Sequence, residues 1–305
     1  MIKRILMLPH IKVHNANALS SPFTIGFPAI TAWMGAVHAL QRKINASRSG
    51  KIEFKASAII SHAIDLQTYK GKGDFVHSII GTGNPLGKDG KRPSFIEEAR
   101  CHIDASLLIE YQGIDKTEED KFVETISNHM NASMKIAGGD IISFSTPQLF
   151  KIDDESSSEV FSLLKKLMPG YAVIERRELM KDAMKKGQDA IDAMLDYLVV
   201  HNRSEKDAEG IVKWISSRKI SGWIVPIATG FQGLTELGQA ANQRDPTIPH
   251  RFAESIVTLG EFLMLHRIRS LEEILWRYYI DEKNSLYACQ QNDSAVNNQQ
   301  LILGE

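Results

Sequence analysis

Only two cysteines occur in the 305 residues, Cys101 and Cys289, far apart and without the Cys/His spacing of a zinc ribbon around them. A disulfide framework is equally unsupported. No stretch approaches the roughly 20 apolar residues of a membrane span. The short apolar run after Lys3-Arg4 is cut by Pro9 and Lys12 too early for a signal peptide, so a cytoplasmic protein with no membrane partner is expected. No carboxylate cluster has metal-ligand spacing, and nothing resembles a nucleophile elbow. A phosphate-binding nucleotide loop also fails. In the run Gly81 to Arg92 the residue five before Gly87 is Thr82 rather than glycine, and Asp89 stands where a magnesium-binding hydroxyl is needed. No cofactor and no metal are expected.

Charge is balanced overall, at −1, yet unevenly placed. Residues 1–100 carry 14 Lys/Arg against 6 Asp/Glu, and the rest carry 22 against 31. Such asymmetry suggests a basic face for a polyanion in one half and a protein-contacting surface in the other.

The elements read as an α+β chain. Ile5–Leu8 are continuously apolar, as in a strand covered on both faces, with a bulge or edge expected at Pro9. Trp33, Val37, Leu40 and Ile44 form a helical stripe, backed by His38, Gln41, Arg42 and Lys43. Phe54–Ile60 and Phe75–Ile79 alternate as strands, and Cys101–Tyr111 as a long one. Thr117 is expected to start a helix with Phe122, Ile126, Met130 and Met134 on one side, and Gly138-Gly139 to stop it before a strand at Ile141–Phe144. This order suggests a ferredoxin-like sandwich over residues 1–150, with a less regular α+β domain as the alternative. After an acidic, serine-rich connection at Asp153–Ser158, residues 151–289 read as a mixed, mainly helical region. Within it, 160–220 are mostly helical, Gly222–Ile227 is a strand, and 252–279 are two helices. Residues 290–305, rich in Asn and Gln, are expected to be a disordered tail.

Residues 9–43 carry the strongest functional signal. Asn15, Asn17, Ser20, Ser21 and Thr24 crowd a loop between a strand and a helix that ends in a basic cluster. Neutral donors of this kind suit the reading of sugars, phosphates and base edges in single-stranded nucleic acid. Lys88, Lys91 and Arg92 sit on a glycine-rich tip, either a solvated turn or a basic finger that grips a backbone. Gly138-Gly139 reads as a helix end, as an approach for phosphate to backbone N–H groups with Lys135 nearby, or as both. His14 and His38 flank the first loop, where a histidine serves either hydrogen bonding or general-base RNA cleavage. His62 and Asp65 are too close in sequence to define a site. Trp33, Trp223 and Trp276 read as core.

Several blocks resemble the second Csy subunit of type I-F CRISPR surveillance complexes. They are Asn-Ala-Asn-Ala-Leu-Ser-Ser-Pro at 15–22, Gly26-Phe27-Pro28, Val37 to Arg42, Asn84-Pro85-Leu86 with Asp89-Gly90, and Glu97 to Arg100. Ala137-Gly138-Gly139, Leu167 to Gly170, Gly222 to Ile227, Ile248-Pro249, Arg251-Phe252, Leu259-Gly260-Glu261 and His266-Arg267 continue it, so it spans about residues 4–289. The resemblance implies an RRM-like RAMP core with a thumb hairpin, about 81–94, and a glycine-rich loop. It implies a non-catalytic subunit that holds the 5′ handle of a CRISPR RNA, pairs with the large Csy subunit as a heterodimer, and reaches an adjacent backbone Csy subunit. The RNA contacts it implies are Asn15, Asn17, Ser20, Ser21, His38 and Arg42, then the thumb cations Lys88, Lys91 and Arg92. Gly138 and Gly139 would form the glycine-rich loop, and Arg251 and Arg267 are further candidates. The alternatives are a metal-independent repeat endoribonuclease using His14 or His38, and a scaffold that binds only protein.

Overall fold

The computed structural model describes residues 2–48, 50–80, 86–92, 98–206, 210–243 and 245–291. Strands β1 (Ile2–Asn17), β2 (Leu19–Ser21) and β3 (Thr24–Ile25) lead into helix α1 (Ile30–Ala46). Next come β4 (Glu53–Leu66), β5 (Thr68–Tyr69), β6 (Ser78–Ile79), β7 (Arg100–Gln112) and α2 (Glu119–Ser133). β8 (Lys135–Ile136), β9 (Gly139–Ser143), β10 (Gln148–Asp153), α3 (Ser157–Lys165), β11 (Tyr171–Glu175), α4 (Arg177–Lys185) and α5 (Ala190–Leu198) follow. The last strands are β12 (His201–Lys206), β13 (Val212–Ser217), β14 (Ile224–Gly233), β15 (Ala253–Met264), β16 (Arg277–Asp281) and β17 (Leu286–Gln290).

One sheet organises the molecule. Its order is β16-β17-β14-β15-β11-β4-β7-β1-β9-β8, with β10 pairing to the first half of β1. β1 is long enough to hold β7 along one edge and both β10 and β9 along the other. The alternation seen in the sequence sends Leu6, Leu8, Ile11, Val13, Cys101, Ile103 and Ala105 to one face, under the buried stripe Trp33, Val37, Leu40 and Ile44 of α1 and Phe122, Ile126 and Met130 of α2. On the other face Ile5, Met7, Ala56, Ala58, Ile60 and Leu108 pack under Val160, Leu163 and Leu164 of α3. That second cover reaches only part of the face. The ends of β1, β7 and β4 beyond it stay open, with His14 and Lys12 exposed and His10, His62, His102 and Asp104 half-buried.

Several expectations hold. Pro9 lies at a bulge, where the β1–β7 register shifts between Leu8 and Ile11. Trp33 and Trp276 are fully buried, and the Trp276 indole N–H donates to the Val173 carbonyl at 3.0 Å. No helix among the described residues is long and apolar enough to cross a membrane.

Others are corrected. The region after residue 150 is not mainly helical but sheet-rich. Residues 253–264, read as helix, form β15, which pairs with both β14 and β11. A central strand apolar on both faces loses its period-two signature, so Val257, Leu259, Phe262 and Leu263 match a helical spacing equally well. Of Phe75–Ile79 only Ser78–Ile79 is strand, because Phe75 and Val76 find no core and stand exposed. Asp115, not Thr117, opens the helical segment, through a capping box with Glu118 on a 3-10 helix ahead of α2. The helix ends at Ser133; Gly138 lies instead in the turn of the β8–β9 hairpin, and Gly139 begins β9. The ordered chain extends past residue 290. Gln291 is buried and exchanges hydrogen bonds with Glu175, its amide group also donating to the carbonyls of Val173 and Ile274. The remainder of the expected tail, 292–305, lies outside the described residues.

Candidate nucleic-acid interface

The polar loop after β1 is folded by its own side chains. Asn15 occupies the left-handed region at φ 55°, within a second bulge of β1 between Val13 and Ala16, a conformation asparagine tolerates better than most residues. Its backbone N–H donates to His102 Nδ1 at 3.1 Å, and the exposed side chain is left facing solvent. Asn17 is exposed too, but both ends of its amide are occupied: Oδ1 accepts from the Leu19 N–H and Nδ2 donates to the Leu19 carbonyl. Ser21 and Thr24 are buried and share a hydrogen bond of 2.7 Å, while the Ser20 hydroxyl is 2.8 Å from that of Thr24. This hydroxyl cluster closes a small β2–β3 hairpin and drives Phe23 outward at its tip, 80% exposed.

The hairpin packs on β14 and β15. Beneath it Phe27 stacks with Trp33 and meets Phe262 edge-on, and Phe262 touches Trp223. Trp223, expected in the core, is 50% exposed, with its ring edge on Tyr171. It lies just before β14, whose first residues pair with β15 and not with β17.

The glycine pair divides by role. Ala137 and Gly138 both have positive φ, 49° and 76°, and form the two-residue turn between β8 and β9. A Cβ on Gly138 would meet nothing, so this turn is open to an approaching group. A Cβ on Gly139 would lie 2.6 Å from the His14 carbonyl oxygen and 2.7 Å from the Ala16 nitrogen, so this glycine exists to let β9 close on the bulge of β1. Lys135 pairs with Asp140 across the hairpin.

His38 and Arg42 are exposed one turn apart on α1, and the His38 ring meets Tyr278 edge-on at 6.4 Å. α1 covers one face of the sheet, whereas His14 and its stacked neighbour His102, centroids 4.4 Å apart, belong to the other. The two histidines that flank the loop in sequence therefore stand on opposite sides of the sheet. Lys88, Lys91 and Arg92 are exposed around a turn in which Gly90 has φ 70°, with Lys91 3.9 Å from Asp89. The flanking residues 81–85 and 93–97 of the expected thumb lie outside the described residues. Arg251 packs on Gly233 and faces Glu236 at 4.0 Å, beyond the far end of β15. Arg267 is exposed in a 3-10 helix at Leu265–Arg267, next to α3 on the opposite face from α1. Neither arginine joins the loop.

The sequence reading named His14 and His62 but missed Phe23, Trp223 and the gathering of His10, His62, His102 and Asp104 on the open face. Phe23 had one signal, an aromatic alone at the tip of a polar loop. His102, Asp104 and Ser106 alternate along β7 and mark its polar face, but nothing in the sequence links them to His10 and His62. There burial lowers the His62 pKa from its ordinary value, against the hydrogen bond to the Pro169 carbonyl, which raises it.

Two comparisons place the chain. A family model described as CRISPR-associated protein (Cas_Csy2) matches residues 6–289. The CRISPR-associated protein Csy2 of Pseudomonas aeruginosa (strain UCBPP-PA14) is 31% identical over 309 residues, covering 93% of this chain and 94% of that protein. With the match running from β1 through β17, the chain belongs to the CRISPR-associated Csy2 family.

Proposed function

We propose that the chain is a non-catalytic subunit of a type I-F surveillance complex that holds the 5′ handle of the CRISPR RNA and joins the large Csy subunit to the backbone subunits. The observation that carries RNA holding is the loop after β1, where Asn15 faces solvent and Phe23 stands exposed at the hairpin tip, with the half-exposed Trp223 joined through Phe262 to Phe27. Unpaired bases stack on aromatic rings and are read by amide donors, while Arg and Lys neutralise phosphates. His38 and Arg42 on α1, the open turn at Gly138, and the cations Lys88, Lys91 and Arg92 are the accompanying contacts. The order β4-β7-β1-β9, with α1 and α2 on one face, supports the ferredoxin-like RAMP core. Contact with protein neighbours is supported by the β12–β13 hairpin, which exposes Val212, Trp214 and Ile215. Guide pairing then reads the target, and the protein supplies shape and charge.

The chain purified with its large partner is expected to bind handle RNA with an affinity that falls steeply with salt. Equal affinity for an unrelated RNA of the same length would sink handle specificity. Incubation of repeat RNA with the chain in EDTA tests the endoribonuclease reading, which cleavage lost on His38→Ala would favour.

A further inference from the structure

The open face of the sheet carries a cluster that RNA holding does not use. β4 and β1 flank β7, and each has a bulge where it faces the same stretch of that strand, β1 between Leu8 and Ile11 and β4 between Ser61 and Ala63. A bulge inserts a residue and re-aims its side chain. The first sets His10 in the left-handed region at φ 49°, a conformation that non-glycine residues seldom adopt. The second carries His62. The two imidazoles stack with centroids 4.2 Å apart beside Asp104 and Ser106 of β7.

His10 Nδ1 lies 3.2 Å from Asp104 Oδ1, and ligand atoms of His10, His62 and Asp104 all fall within 4.8 Å of one another. Two atoms bound at about 2.0 Å to a tetrahedral ion stand about 3.3 Å apart, so the His10–Asp104 pair already has that spacing. His62 is oriented to join it. A carbonyl can only accept, so the proton on His62 Nδ1 goes to the Pro169 oxygen at 2.8 Å and the lone pair is left on Nε2. Nε2 points to β7, where it accepts from the Ser106 hydroxyl at 2.7 Å, a hydrogen bond that a bound ion would replace. Imidazoles that ligate metals are held in this way by an outer carbonyl. Gly170 permits the approach, since a Cβ there would lie 3.0 Å from His62 Cε1 and 2.6 Å from the Leu167 carbonyl.

We propose that His10, His62 and Asp104 bind a divalent transition-metal ion of the zinc class, with water as the fourth ligand, clamping β1, β7 and β4 at the open end of the sheet. Two imidazoles and one carboxylate suit such an ion better than magnesium or calcium, which prefer all-oxygen sets. The claim does not depend on the RNA-holding reading.

The test uses the untagged full-length chain, stripped with chelator and titrated with Co²⁺, whose visible bands report tetrahedral nitrogen and oxygen ligation, then with Zn²⁺ as competitor. One equivalent of Co²⁺ is expected, displaced by Zn²⁺. Asp104→Asn, which keeps the side-chain shape, and His62→Gln should each weaken binding by about tenfold or more. His102→Gln, in the neighbouring His14–His102 pair, should leave binding unchanged. Zn²⁺ should raise the melting temperature of the wild type but not of folded Asp104→Asn, which separates lost ligation from lost fold. No saturable binding at micromolar Co²⁺ would overturn the proposal, leaving the cluster a hydrogen-bonded brace. So would a titration that Asp104→Asn and His62→Gln leave intact, or one abolished by His102→Gln instead.

Discussion

Adding one methyl group at Gly139 or at Gly138 separates the two roles of the glycine turn. At Gly139 the new Cβ would sit 2.6–2.7 Å from the His14 oxygen, the Ala16 nitrogen and Val13 Cγ1. Two of these are backbone atoms of β1, so no rotamer change relieves the contact and the β8–β9 hairpin must retreat. Overpacking costs about 1–3 kcal/mol. Retreat also weakens the pairing of Val13 with Ile141 and of His14 with Asp140, at about 1 kcal/mol per hydrogen bond lost. Against this, alanine narrows the unfolded ensemble and returns about 0.4–1 kcal/mol. The net for Gly139→Ala is a loss of about 2–3 kcal/mol. At Gly138 the methyl meets nothing, and only the left-handed backbone at φ 76° is disfavoured, by about 1–2 kcal/mol before the same return. Gly139→Ala should therefore melt below Gly138→Ala by several degrees, at about 2–4 °C per kcal/mol. Thermal and urea unfolding followed by circular dichroism measure the gap. Equal or reversed stabilities would refute the view that Gly139 serves packing and Gly138 an open turn. Gly138→Ala, with its fold intact, is then the variant in which handle affinity tests phosphate approach at the turn.

Phe23→Ala and Trp223→Ala should each weaken handle RNA binding by about 1–3 kcal/mol, roughly five- to a hundredfold. Filter binding against unfolding curves checks this, and unchanged affinity would remove the stacking role. Ser21→Ala should act in the opposite way, costing stability through the lost hydroxyl contacts to Thr24 and Phe23, at about 0.5–1.5 kcal/mol per hydrogen bond, since Ser20 still pairs with Thr24. Trp276→Phe should cost about 1–3 kcal/mol, because it removes the buried hydrogen bond to Val173 and leaves a small cavity; wild-type stability would contradict the packing described. Burial pushes the thiols of Cys101 and Cys289 up to about 12, so both should resist alkylation in the native chain at neutral pH and react once it is unfolded. Rapid native labelling would show that the strands carrying them open.

Periodicity made the first half legible. The α1 stripe, the first half of β7 from Cys101 to Ala105 and the apolar face of α2 each bury one side only, and a one-sided stretch writes its period into the sequence. β15 did not, since a central strand covered on both faces carries no alternation. The candidate interface followed the same rule in part. The polar loop at 15–24 and the cations of α1 and of the 86–92 tip stood out as local runs. Burial of Ser21, closure of Gly139 against β1 and exposure of Phe23 and Trp223 depend on which residues the hairpin meets, and that is set by β14 and β15 about two hundred residues later. The sequence by itself therefore determined the α+β class, the family and the segment facing solvent after β1. Only tertiary structure decided that His10, His62 and Asp104 converge, because bulges in two strands aim them at a third, and strand pairing at long range leaves no spacing in the chain to read.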